Sequence, residues 1–559
     1  MDKKSENRTC QNCKKNFVID PEDFNFYEKI KVPAPTWCPD CRQLRRYAWR
    51  NERVLYRRDC DLCKKGTVTI YSPNKPCKVY CNDCWWGDGW DPASYGRDFD
   101  FSRPFFEQFH ELQLEVPRMA LLNKNSVNSD YTNHSSDNKN VYLSFSCFYD
   151  EDVMYSCLIW ESRDVVDCNY IYSKSERLYE VIDSHKSYQC QYGFVLRDCS
   201  SCYYCYDCRG CSDCFMSYNL RNKSYVFKNV QCSREEYLRK IKEYNLSSFE
   251  VRKDLQKEFL KMMKDLAIHR YVVSERTVNS SGNMIFDCKN VKNAFDASEV
   301  ENSRYMICTP DVVKDSMDIY HAGDNMELGY ECHGCSRVSN CHFIHLSYDN
   351  FNLDYCDTCH NSQNLFGCMS VKKGEYMILN KKYKKEEYLE LKEKIIEHMR
   401  TTGEYGEFFP PQISPVCYNE TQGNLYISMS KEEVLAKGWQ WEDNIPGTFG
   451  KETIKAEDIP DKIEDIPDSY LNEIFACIDC SKNYNIVPNE LSFYRKENLP
   501  LPRKCPDCRY KARFHLRLPR RLWHRQCMKT GCSNEFETSY ASERPEKIYC
   551  ESCYNKEVY

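Results

Sequence analysis

Apolar residues recur with a period of twelve residues in two stretches of the middle of the chain. In the first stretch the period begins at Lys139 and runs without a gap, with apolar columns at its fourth and eighth positions. Short fixed periods are typical of solenoids, whose coils stack into one continuous core. The fourth column is Tyr142, Met154, Val166, Leu178, Cys190, Cys202, Cys214 and Val226; the eighth contains Leu158, Tyr170, Ile182, Phe194, Tyr206, Tyr218 and Val230; the second stretch continues the period through Met317, Cys341, Leu353, Leu365 and Met377.

The length of one coil follows from the size of these side chains. A coil of twelve residues has a perimeter of only about 40 Å at roughly 3.3 Å per residue, so it encloses little beyond small side chains. Columns of tyrosine, phenylalanine and leucine do not fit inside such a coil. We therefore expect parallel β-solenoids with about 24 residues per coil, in which two repeats face each other across a shared core. The first array is predicted over residues 126–234 and the second over 273–385.

A helix is predicted after each array. The segment that begins at Asn229 matches the segment that begins at Asn380, and Ser233 with Glu236 forms a capping box. We expect helical segments at 235–272 and 386–402 to cover the ends of the arrays, where exposed edges would otherwise invite aggregation. The predicted fold class is therefore mainly β with some α.

The two ends of the chain carry the same frame of eight cysteines. The gaps between successive cysteine pairs are 24, 18 and 17 residues in both copies, and only Cys527–Cys532 departs from C-x2-C spacing. Four such pairs supply two tetrahedral thiolate sites per copy, so we expect four Zn²⁺ ions in all. The predicted ligands are Cys10, Cys13, Cys38, Cys41, Cys60, Cys63, Cys81 and Cys84 at one end and Cys477, Cys480, Cys505, Cys508, Cys527, Cys532, Cys550 and Cys553 at the other.

Further residues are shared by the two frames. Phe26-Tyr27 and the run Cys38-Pro-Asp-Cys41-Arg42 are matched by Phe493-Tyr494 and Cys505-Pro-Asp-Cys508-Arg509. Over about 35 residues at each end, this half-module resembles the family of probable zinc-ribbon domains. The resemblance implies zinc binding and a small treble-clef or ribbon fold, and nothing about a substrate. A unit of this size cannot bury enough apolar surface to fold without its metal. We expect double zinc modules at 1–100 and 471–559.

The eight ligands of each frame can be divided in two ways. Sequential use places the first two pairs on one ion and the last two on another, whereas cross-bracing would mix the first and third pairs. We favour sequential use, because the family resemblance covers the first two pairs as a unit. Cys77, four residues before Cys81, could act as an extra ligand, but we expect a buried thiol there.

An arginine-rich segment lies between the two sites of each frame. Aromatic residues are interleaved with the arginines, and planar guanidinium groups next to aromatic platforms suit phosphate contact and base stacking. Alternatively, the arginines offset the charge of the thiolate sites as donors to sulfur. Both interpretations stay open, and Pro519 prevents all the arginines of the second set from sharing one helical face. The predicted nucleic-acid-binding residues are Arg42, Arg46, Arg50, Arg53 and Arg58, with Arg509, Arg513, Arg517, Arg520 and Arg525 as their counterparts.

Cysteines are also frequent inside the arrays. Six recur at every third residue from Cys199 to Cys214, and Cys332 and Cys356 stand 24 residues apart in the second array. In a regular strand a spacing of three alternates between the two faces, so six thiols would not converge on one ion. We expect buried structural thiols, with an additional zinc or an iron–sulfur cluster as alternatives.

Residues 403–470 are predicted to connect the second array to the last module. A stretch with Gly406-Glu-Phe-Phe-Pro410 and Gly438-Trp-Gln-Trp441 resembles a segment of large uncharacterised bacterial proteins of this zinc-ribbon type, which supplies no activity. We expect its aromatic residues to pack against the array. Residues 451–470 repeat Glu-Asp-Ile-Pro-Asp and are predicted to form a solvated acidic spacer, or else to cover the arginines when no ligand is bound.

Composition limits the classes of function. The net charge of −6 argues against wholesale attraction to nucleic acid, so such binding would have to be local. The chain shows no apolar leader and no apolar run of membrane length, so we expect no membrane partner. Without a secretory leader, the 37 cysteines favour metal ligation in the reducing cytoplasm. We expect a zinc-binding scaffold that binds nucleic acid, RNA somewhat favoured. The alternatives are a protein–protein interaction scaffold that uses the solenoid face and, less favoured, a solenoid-based carbohydrate-active enzyme. No defensible catalytic set is apparent.

Overall fold

The computed structural model of the chain describes residues 4–559, which divide into two compact units. Unit 1 comprises the chain up to Leu121 together with Val272–Ile445 and Arg520–Leu522. Unit 2 comprises Leu122–Tyr271, Pro446–Pro519 and Trp523–Tyr559. Each unit thus combines one cysteine frame with the array that is distant from it in sequence. Within residues 4–559, no helix has the length and apolar character needed to cross a membrane.

The array of unit 2 consists of short strands that pair in parallel. Phe145 pairs with Cys157 in one sheet and Glu151 pairs with Arg163 in the other, so each strand lies beside the strand twelve residues later in the same sheet. The strands are Asn123–Lys124, Ser135–Ser136, Lys139–Tyr142, Phe145–Phe148, Glu151–Met154, Cys157–Trp160, Arg163–Val166, Asn169–Tyr172, Glu176–Tyr179, Ile182–His185, Phe194–Arg197, Ser200–Arg209, Ser212–Tyr218 and Ser224–Phe227, with Val230–Gln231 folded back antiparallel.

The array of unit 1 is built in the same way. Ala294 pairs with Met306, and Leu353 pairs with Leu365 and Leu365 with Met377, again in parallel. The strands are Ser274–Glu275, Gly282–Phe286, Lys292–Ser298, Val300–Glu301, Arg304–Thr309, Val313–Lys314, Met317–Tyr320, Met326–His333, Ser336–His342, Tyr348–Asp354, Gln363–Phe366 and Glu375–Ile378, with Lys381–Lys382 antiparallel at the end. Large parallel sheets are therefore present in both units, as predicted.

The repeat differs from the prediction in its length. Because residue i pairs with residue i+12, the chain returns to the same sheet after about half of the expected 24 residues. The period is also interrupted by an insertion of one residue. Arg163 pairs with Glu176 and Asn169 with Ile182, an offset of thirteen residues and not twelve. The extra residue falls at Ser173 and Lys174, which both have positive φ. The predicted columns therefore mixed positions from opposite sides of this insertion.

The backbone of the array turns at every third residue. From His134 to Tyr170 every third residue has a φ between 44° and 60°, a region that costs an L-residue about 1–2 kcal/mol. The residue after each of these positions is buried, as Val141, Cys147, Val153 and Ile159 illustrate. These strands therefore do not alternate between two faces, and the spacing by three places every cysteine from Cys199 to Cys214 in the core. The prediction that the thiols are buried is confirmed, but the argument from alternation was wrong.

Small side chains fill the interior of the arrays. Valine, isoleucine, leucine and cysteine dominate the core of the unit 2 array, while serines close hydrogen bonds between neighbouring strands. The Oγ of Ser144 accepts from the backbone N–H of Ser156 at 3.0 Å, and the Oγ of Ser156 accepts from that of Cys168 at 3.1 Å. The large aromatic residues lie outside this core, where Tyr155 and Tyr179 pack against the cysteine module of the same unit. Tyr155 and Tyr179 thus form part of the face on which the module packs.

Helices follow both arrays, as predicted. In unit 2 the Oγ of Ser233 accepts from the N–H of Glu236 at the start of the first helix. The helices of unit 2 are Arg234–Lys242, Phe249–Asp265, Pro488–Lys496, Pro506–Leu516 and Glu551–Val558; those of unit 1 are Pro21–Lys29, Pro39–Tyr47, Asn82–Trp86, Phe105–Glu115, Lys385–Thr402, Gln422–Tyr426 and Lys431–Ala436.

Short strands and 3₁₀ turns complete the units. Unit 1 also has the strands Glu6–Thr9, Asn16–Ile19, Tyr56–Asp59, Gly66–Thr69, Val79–Tyr80 and Arg118–Met119 and the 3₁₀ turns Pro92–Tyr95, Pro411–Ile413 and Tyr418–Glu420. Unit 2 has the strands Ile268–Arg270, Phe475–Ala476, Asn483–Tyr484, Trp523–Gln526, Glu535–Thr538 and Lys547–Tyr549 and the 3₁₀ turns Ala456–Asp458, Ile463–Asp465 and Asp468–Asn472.

The connecting segments are packed rather than solvated. In unit 1, Phe408 and Phe409 are buried in a core with the array residue Tyr355, as expected for the aromatic residues of 403–445. The acidic segment differs from its prediction as a spacer, because Ile459, Ile463 and Ile466 are buried in the core of the last module. Their spacing of four and three residues places apolar side chains on one side, while the carboxylates between them face solvent. The arginine contacts of this segment are with Arg495 and Arg503, which are outside the predicted set.

Candidate metal centres and the arginine helices

The first metal centre of unit 1 gathers two loops of the chain. Cys10 and Cys13 lie in the turn between the strands Glu6–Thr9 and Asn16–Ile19, and Cys38 immediately precedes the helix Pro39–Tyr47, which contains Cys41. Pro39 in the first turn favours this helix start, because no backbone donor is lost there. The four Sγ atoms lie within 4.8 Å of one another. The N–H of Cys38 donates to the Sγ of Cys10 at 3.2 Å.

The second centre of unit 1 repeats this arrangement. Cys60, Cys63, Cys81 and Cys84 also lie within 4.8 Å of one another, and the N–H of Cys81 donates to the Sγ of Cys60 at 3.3 Å. Cys77 is outside the group and is buried with apolar neighbours, and burial raises the pKa of its thiol. The prediction of a buried, non-ligand thiol at this position is confirmed.

Unit 2 carries the two remaining centres. Cys477, Cys480, Cys505 and Cys508 form one group, and the frame with the longer spacing closes into another. In that second group the N–H of Cys550 donates to the Sγ of Cys527 at 3.3 Å. The two extra residues before Cys532 are accommodated in the turn. The grouping is sequential in both units, so cross-bracing is excluded. The last group consists of Cys527, Cys532, Cys550 and Cys553.

The spacing of the sulfur atoms fits a tetrahedral metal ion. Four thiolates about 2.3 Å from a central Zn²⁺ would stand roughly 3.8 Å apart. The distance between the Sγ atoms of Cys13 and Cys38 is 3.7 Å, and that between Cys480 and Cys505 is also 3.7 Å. The corresponding pairs of the other two centres, Cys63 with Cys81 and Cys532 with Cys550, are 3.9 Å apart.

One thiol in each centre is prepared for ionisation. Burial alone would raise the pKa of Cys10, but the backbone N–H groups of Cys38, Cys13 and Asn12 bring it down to about 7. The same balance brings the pKa of Cys60 to about 7. In unit 2 the pKa values are about 7 for Cys477 and about 6 for Cys550. Each centre therefore offers a thiolate ligand near neutral pH.

The arginines of unit 1 are buried against carboxylates of the array. Arg42 pairs with Asp318 at 2.8 Å, and Arg46 bridges Asp318 at 2.9 Å and Glu331 at 3.1 Å. Arg45, which the sequence did not single out, pairs with Glu331 at 2.6 Å. All three guanidinium groups and both carboxylates are buried. The helix that carries Cys41 is thus docked on the array by ion pairs.

The arginines of unit 2 are held in the same way. Arg509 pairs with Asp167, and Arg513 bridges Asp167 at 2.8 Å and Glu180 at 3.1 Å. Arg517 pairs with Asp183 at 3.0 Å and its guanidinium carbon lies 3.4 Å from the centre of the Tyr170 ring. That stacking partner is an array side chain and not a base.

The other predicted arginines are engaged as well. Arg50 pairs with Glu52 at 2.9 Å, and Arg520 pairs with Asp296 at 3.0 Å. Arg58 pairs with Asp61 at 3.3 Å, Arg525 donates to the carbonyl of Ala541 at 2.9 Å, and Arg53 is half-buried. The predicted arginine face is therefore corrected, because these groups meet carboxylates and carbonyls inside their units. Arg42, Arg45, Arg46, Arg509 and Arg513 likewise meet carboxylates and not the cysteine sulfurs proposed as the alternative.

The array carboxylates were missed from the sequence. Asp318 and Glu331 are thirteen residues apart, as are Asp167 and Glu180, and all four have positive φ. Residues at this spacing stand on neighbouring coils where the repeat is one residue longer. Two acids at this spacing were the available signal, but acidic residues are so common in turns that they did not stand out.

Comparisons with known proteins add little to this geometry. No family model matches the chain, and no curated protein matches it. The solved structure of a "putative acetyltransferase" from Desulfovibrio desulfuricans G20 is similar over 47% of this chain and 68% of that chain, at 10% identity and a TM-score of 0.10. A score this low carries no argument about fold or activity.

Proposed function

We propose that the protein is a zinc-stabilised scaffold that binds another protein through the outer faces of its two arrays. The observation that carries this proposal is the docking of both arginine helices onto array carboxylates. This docking makes the cysteine modules structural parts of their units. It also pairs the arginines with carboxylates, so these cations are not available to contact the phosphates of a nucleic acid. Zinc is proposed because it binds four thiolates in a tetrahedron and is redox-inactive, as suits a purely structural ion.

We further propose that the arrays are narrow β-solenoids with a coil of about twelve residues. Support comes from the offset of twelve between paired strands and from the positive φ at every third residue. Such an array places equivalent residues in straight columns about 4.8 Å apart, the spacing of neighbouring strands. A rigid column of this kind suits recognition of an extended or flat protein surface.

The exposed columns argue for a protein partner. In unit 2 the register places Lys139, Glu151, Arg163 and Glu176 in one column, followed by Tyr188, which is 43% exposed. We call this set the unit 2 column. Lys139 pairs with Glu151 at 2.6 Å and Arg163 with Glu176 at 3.0 Å. The charges alternate in sign, so a polyanion would be attracted and repelled at successive coils.

Unit 1 carries a matching column. Lys289, Glu301, Lys314 and Glu327 follow one another in register and alternate in sign. The same column continues to Phe351, which is 52% exposed. An alternating charge pattern with an exposed aromatic residue offers specificity through complementary charges on a protein and gives little affinity for nucleic acid.

Charge reversal in the unit 2 column tests the proposal. Glu151→Lys with Glu176→Lys makes the column uniformly positive, while Glu386→Lys with Glu393→Lys on the helix Lys385–Thr402 changes the net charge equally elsewhere. Partners captured by the wild-type chain would be purified and their affinity measured directly. We expect the column variant to lose affinity at least about tenfold, or about 1.4 kcal/mol, and the helix variant to bind as the wild type does. Equal affinity of all three chains for every purified partner would contradict the proposal.

Nucleic acid is the competing outcome of the same experiment. Single-stranded RNA and duplex DNA would be titrated at about 50 mM and about 200 mM salt, since phosphate contacts produce a steep salt dependence. We expect the wild-type chain to show no salt-sensitive binding to either nucleic acid. Tight binding at low salt that weakens steeply would restore the nucleic-acid hypothesis, and metal analysis of the same sample would show whether all four centres are filled.

A further inference from the structure

The inward positions of the unit 2 array are unusually rich in thiols near its end. In the coil that begins at Cys199, all four inward positions are cysteines: Cys199, Cys202, Cys205 and Cys208. The next coil adds Cys211 and Cys214, and Cys214 pairs in register with Cys202. Cys190 lies on the preceding coil. We call these seven residues the thiol core. All seven are buried.

The thiols have only weak partners in the protein. The Sγ of Cys199 donates to the carbonyls of Arg197 at 3.2 Å and Cys208 at 3.3 Å, and the Sγ of Cys202 donates to those of Ser200 at 3.4 Å and Cys211 at 3.6 Å. A thiol is a poor hydrogen-bond donor. Serine and valine fill equivalent inward positions elsewhere in the same array, as Val141 and Ser144 show. Packing alone therefore does not require cysteine at seven neighbouring positions.

Two of the thiols are surrounded by the others. Cys202 lies next to Cys190, Cys199, Cys205 and Cys214, and these neighbouring thiols lower the pKa of Cys202 well below its ordinary value. Cys199, Cys208 and Cys214 do the same for Cys211. Burial raises the pKa of Cys190 and Cys205, which stay protonated. The core thus contains two central sulfur atoms, those of Cys202 and Cys211, each next to several other thiols.

The arrangement selects the kind of ion. In residues 4–559, groups of three or more possible ligands whose atoms all lie within 4.8 Å of one another occur at the four end centres. The thiol core does not form such a group, so it does not offer the tetrahedral set that zinc requires. Cys202 and Cys214 are paired in register on neighbouring strands, so thiols stand side by side in the core. Soft thiolate ligands select Cu(I), a monovalent ion that needs less negative charge in a dry interior than a divalent ion would.

We propose that the thiol core of the unit 2 array binds Cu(I) ions between pairs of cysteine sulfurs. Each ion replaces the protons of the two thiols that it bridges, and these protons pass to solvent, so copper stays Cu(I) and no electron is transferred. Because the core is closed, the ions enter while the last coils of the array fold. The protein would in this way hold copper as well as zinc.

The second array provides an internal comparison. Most of its inward cysteines form two shorter groups, Cys332, Cys335 and Cys341 interrupted by Val338, and Cys356, Cys359 and Cys368 interrupted by Leu365. A coil with four inward cysteines does not occur there. The thiol core is therefore a local feature of unit 2 and not a general property of the repeat.

Metal analysis of the full chain tests the proposal. The chain would be purified without oxygen from cells grown with and without added copper, and copper and zinc would be counted per chain. We expect copper bound in addition to a full complement of zinc, with copper surrounded by sulfur in its X-ray absorption spectrum. Copper that appears only as zinc is lost, or no copper at all, would overturn the proposal.

Paired variants locate the copper. Cys202→Val with Cys211→Val removes the two central sulfurs, while Cys147→Val with Cys168→Val removes two inward thiols of the same array outside the thiol core. We expect copper to fall to background in the first variant and to stay at the wild-type level in the second. If the first variant does not fold, as judged by circular dichroism, Cys202→Ser with Cys211→Ser replaces it. Unchanged copper in a folded core variant would contradict the assignment.

Discussion

The helix Pro39–Tyr47 of unit 1 and the helix Pro506–Leu516 of unit 2 are docked on different arrays by the same device. In each case the arginine after the last cysteine of C-P-D-C pairs with a buried aspartate, Asp318 or Asp167. The arginine four residues later bridges that aspartate and a glutamate on the next coil. The two units therefore share the ion pairs by which the helix of the cysteine centre is docked on the array.

The rest of the docking surface differs between the units. Arg45 of unit 1 adds ion pairs to Glu331 and Glu407, whereas its counterpart in unit 2 is the exposed Ala512. In unit 2 the buried Glu490 accepts instead from the hydroxyls of Tyr155 and Tyr494, both at 2.7 Å. The comparison teaches that two arginines and two array acids define the docking, and that the surrounding contacts can be exchanged.

Removal of metal should have the largest effect in both units. Structural zinc contributes about 10 kcal/mol or more of folding free energy in small cysteine modules. A strong chelator should therefore unfold both modules and make residues 4–121 and 446–559 sensitive to protease, while the array cores resist longer. Mass spectrometry of the protease fragments measures this directly. Equal resistance of the modules with and without chelator would remove the basis for a metal-dependent fold.

Loss of one docking aspartate should cost nearly as much in either unit. Asp318→Ala removes the carboxylate that pairs with Arg42, and Asp167→Ala removes the shorter of the two ion pairs of Arg509, which keeps Glu490 at 3.4 Å. Breaking one side of a buried ion pair costs about 3–5 kcal/mol. Matched controls are Asp315→Ala and Asp164→Ala, whose partners Lys29 and Lys496 are at the surface.

Urea unfolding of these four variants measures the free energy of unfolding. The controls should lose at most about 1 kcal/mol. A large decrease in the free energy of unfolding for the aspartate variant of one unit and none for that of the other would show that the two docking arrangements are not equivalent.

Exchange of Arg45 and Ala512 sharpens the difference between the units. Arg45→Ala removes the ion pairs to the buried Glu331 and the half-buried Glu407 and should cost about 3 kcal/mol, because a buried carboxylate loses one of its charged partners. Ala512→Arg introduces a side chain at an exposed position and should change stability by only about 0.5 kcal/mol. Thermal unfolding of both variants is the measurement. A stabilising Ala512→Arg would mean that unit 2 has an unused carboxylate at this place.

The stability of unit 2 should depend on pH through His185. Burial, and then the charge of Arg197, lowers the pKa of His185 to about 4, below the ordinary 6.5 of the unfolded chain. The folded state binds fewer protons in this interval, so the free energy of unfolding falls as pH drops from 6.5 towards 4, by at most about 3 kcal/mol.

His185→Gln should flatten that dependence, and His515→Gln, at an exposed position, should not. Urea titrations across this pH range compare the variants with the wild type, so that protonation of the metal ligands cancels. If the free energy of unfolding depended on pH in the same way for His185→Gln and the wild type, His185 would not be the group responsible.

Much of the cysteine frame could be predicted from spacing alone, since short-range pairs such as Cys10 with Cys13 stay close together in any compact fold. The helix predicted at 386–402 is found at Lys385–Thr402 because its capping and periodicity are local. The coil length could not be obtained in this way. The usual strand pattern assumes two alternating faces, whereas here a left-handed residue at every third position turns each following side chain inward.

By itself the sequence determined the two cysteine frames and the presence of two repeated arrays, because these depend on neighbours in the chain. It left the division of each frame into two groups open, and the structure shows that the division is sequential. Only the tertiary structure decided what the arginines do. Arg42 and Asp318 are separated by 276 residues, and Arg513 and Asp167 by 346, so no local pattern links them. A buried guanidinium requires a carboxylate at hydrogen-bond distance, and which carboxylate supplies it is settled by how each module packs on its array.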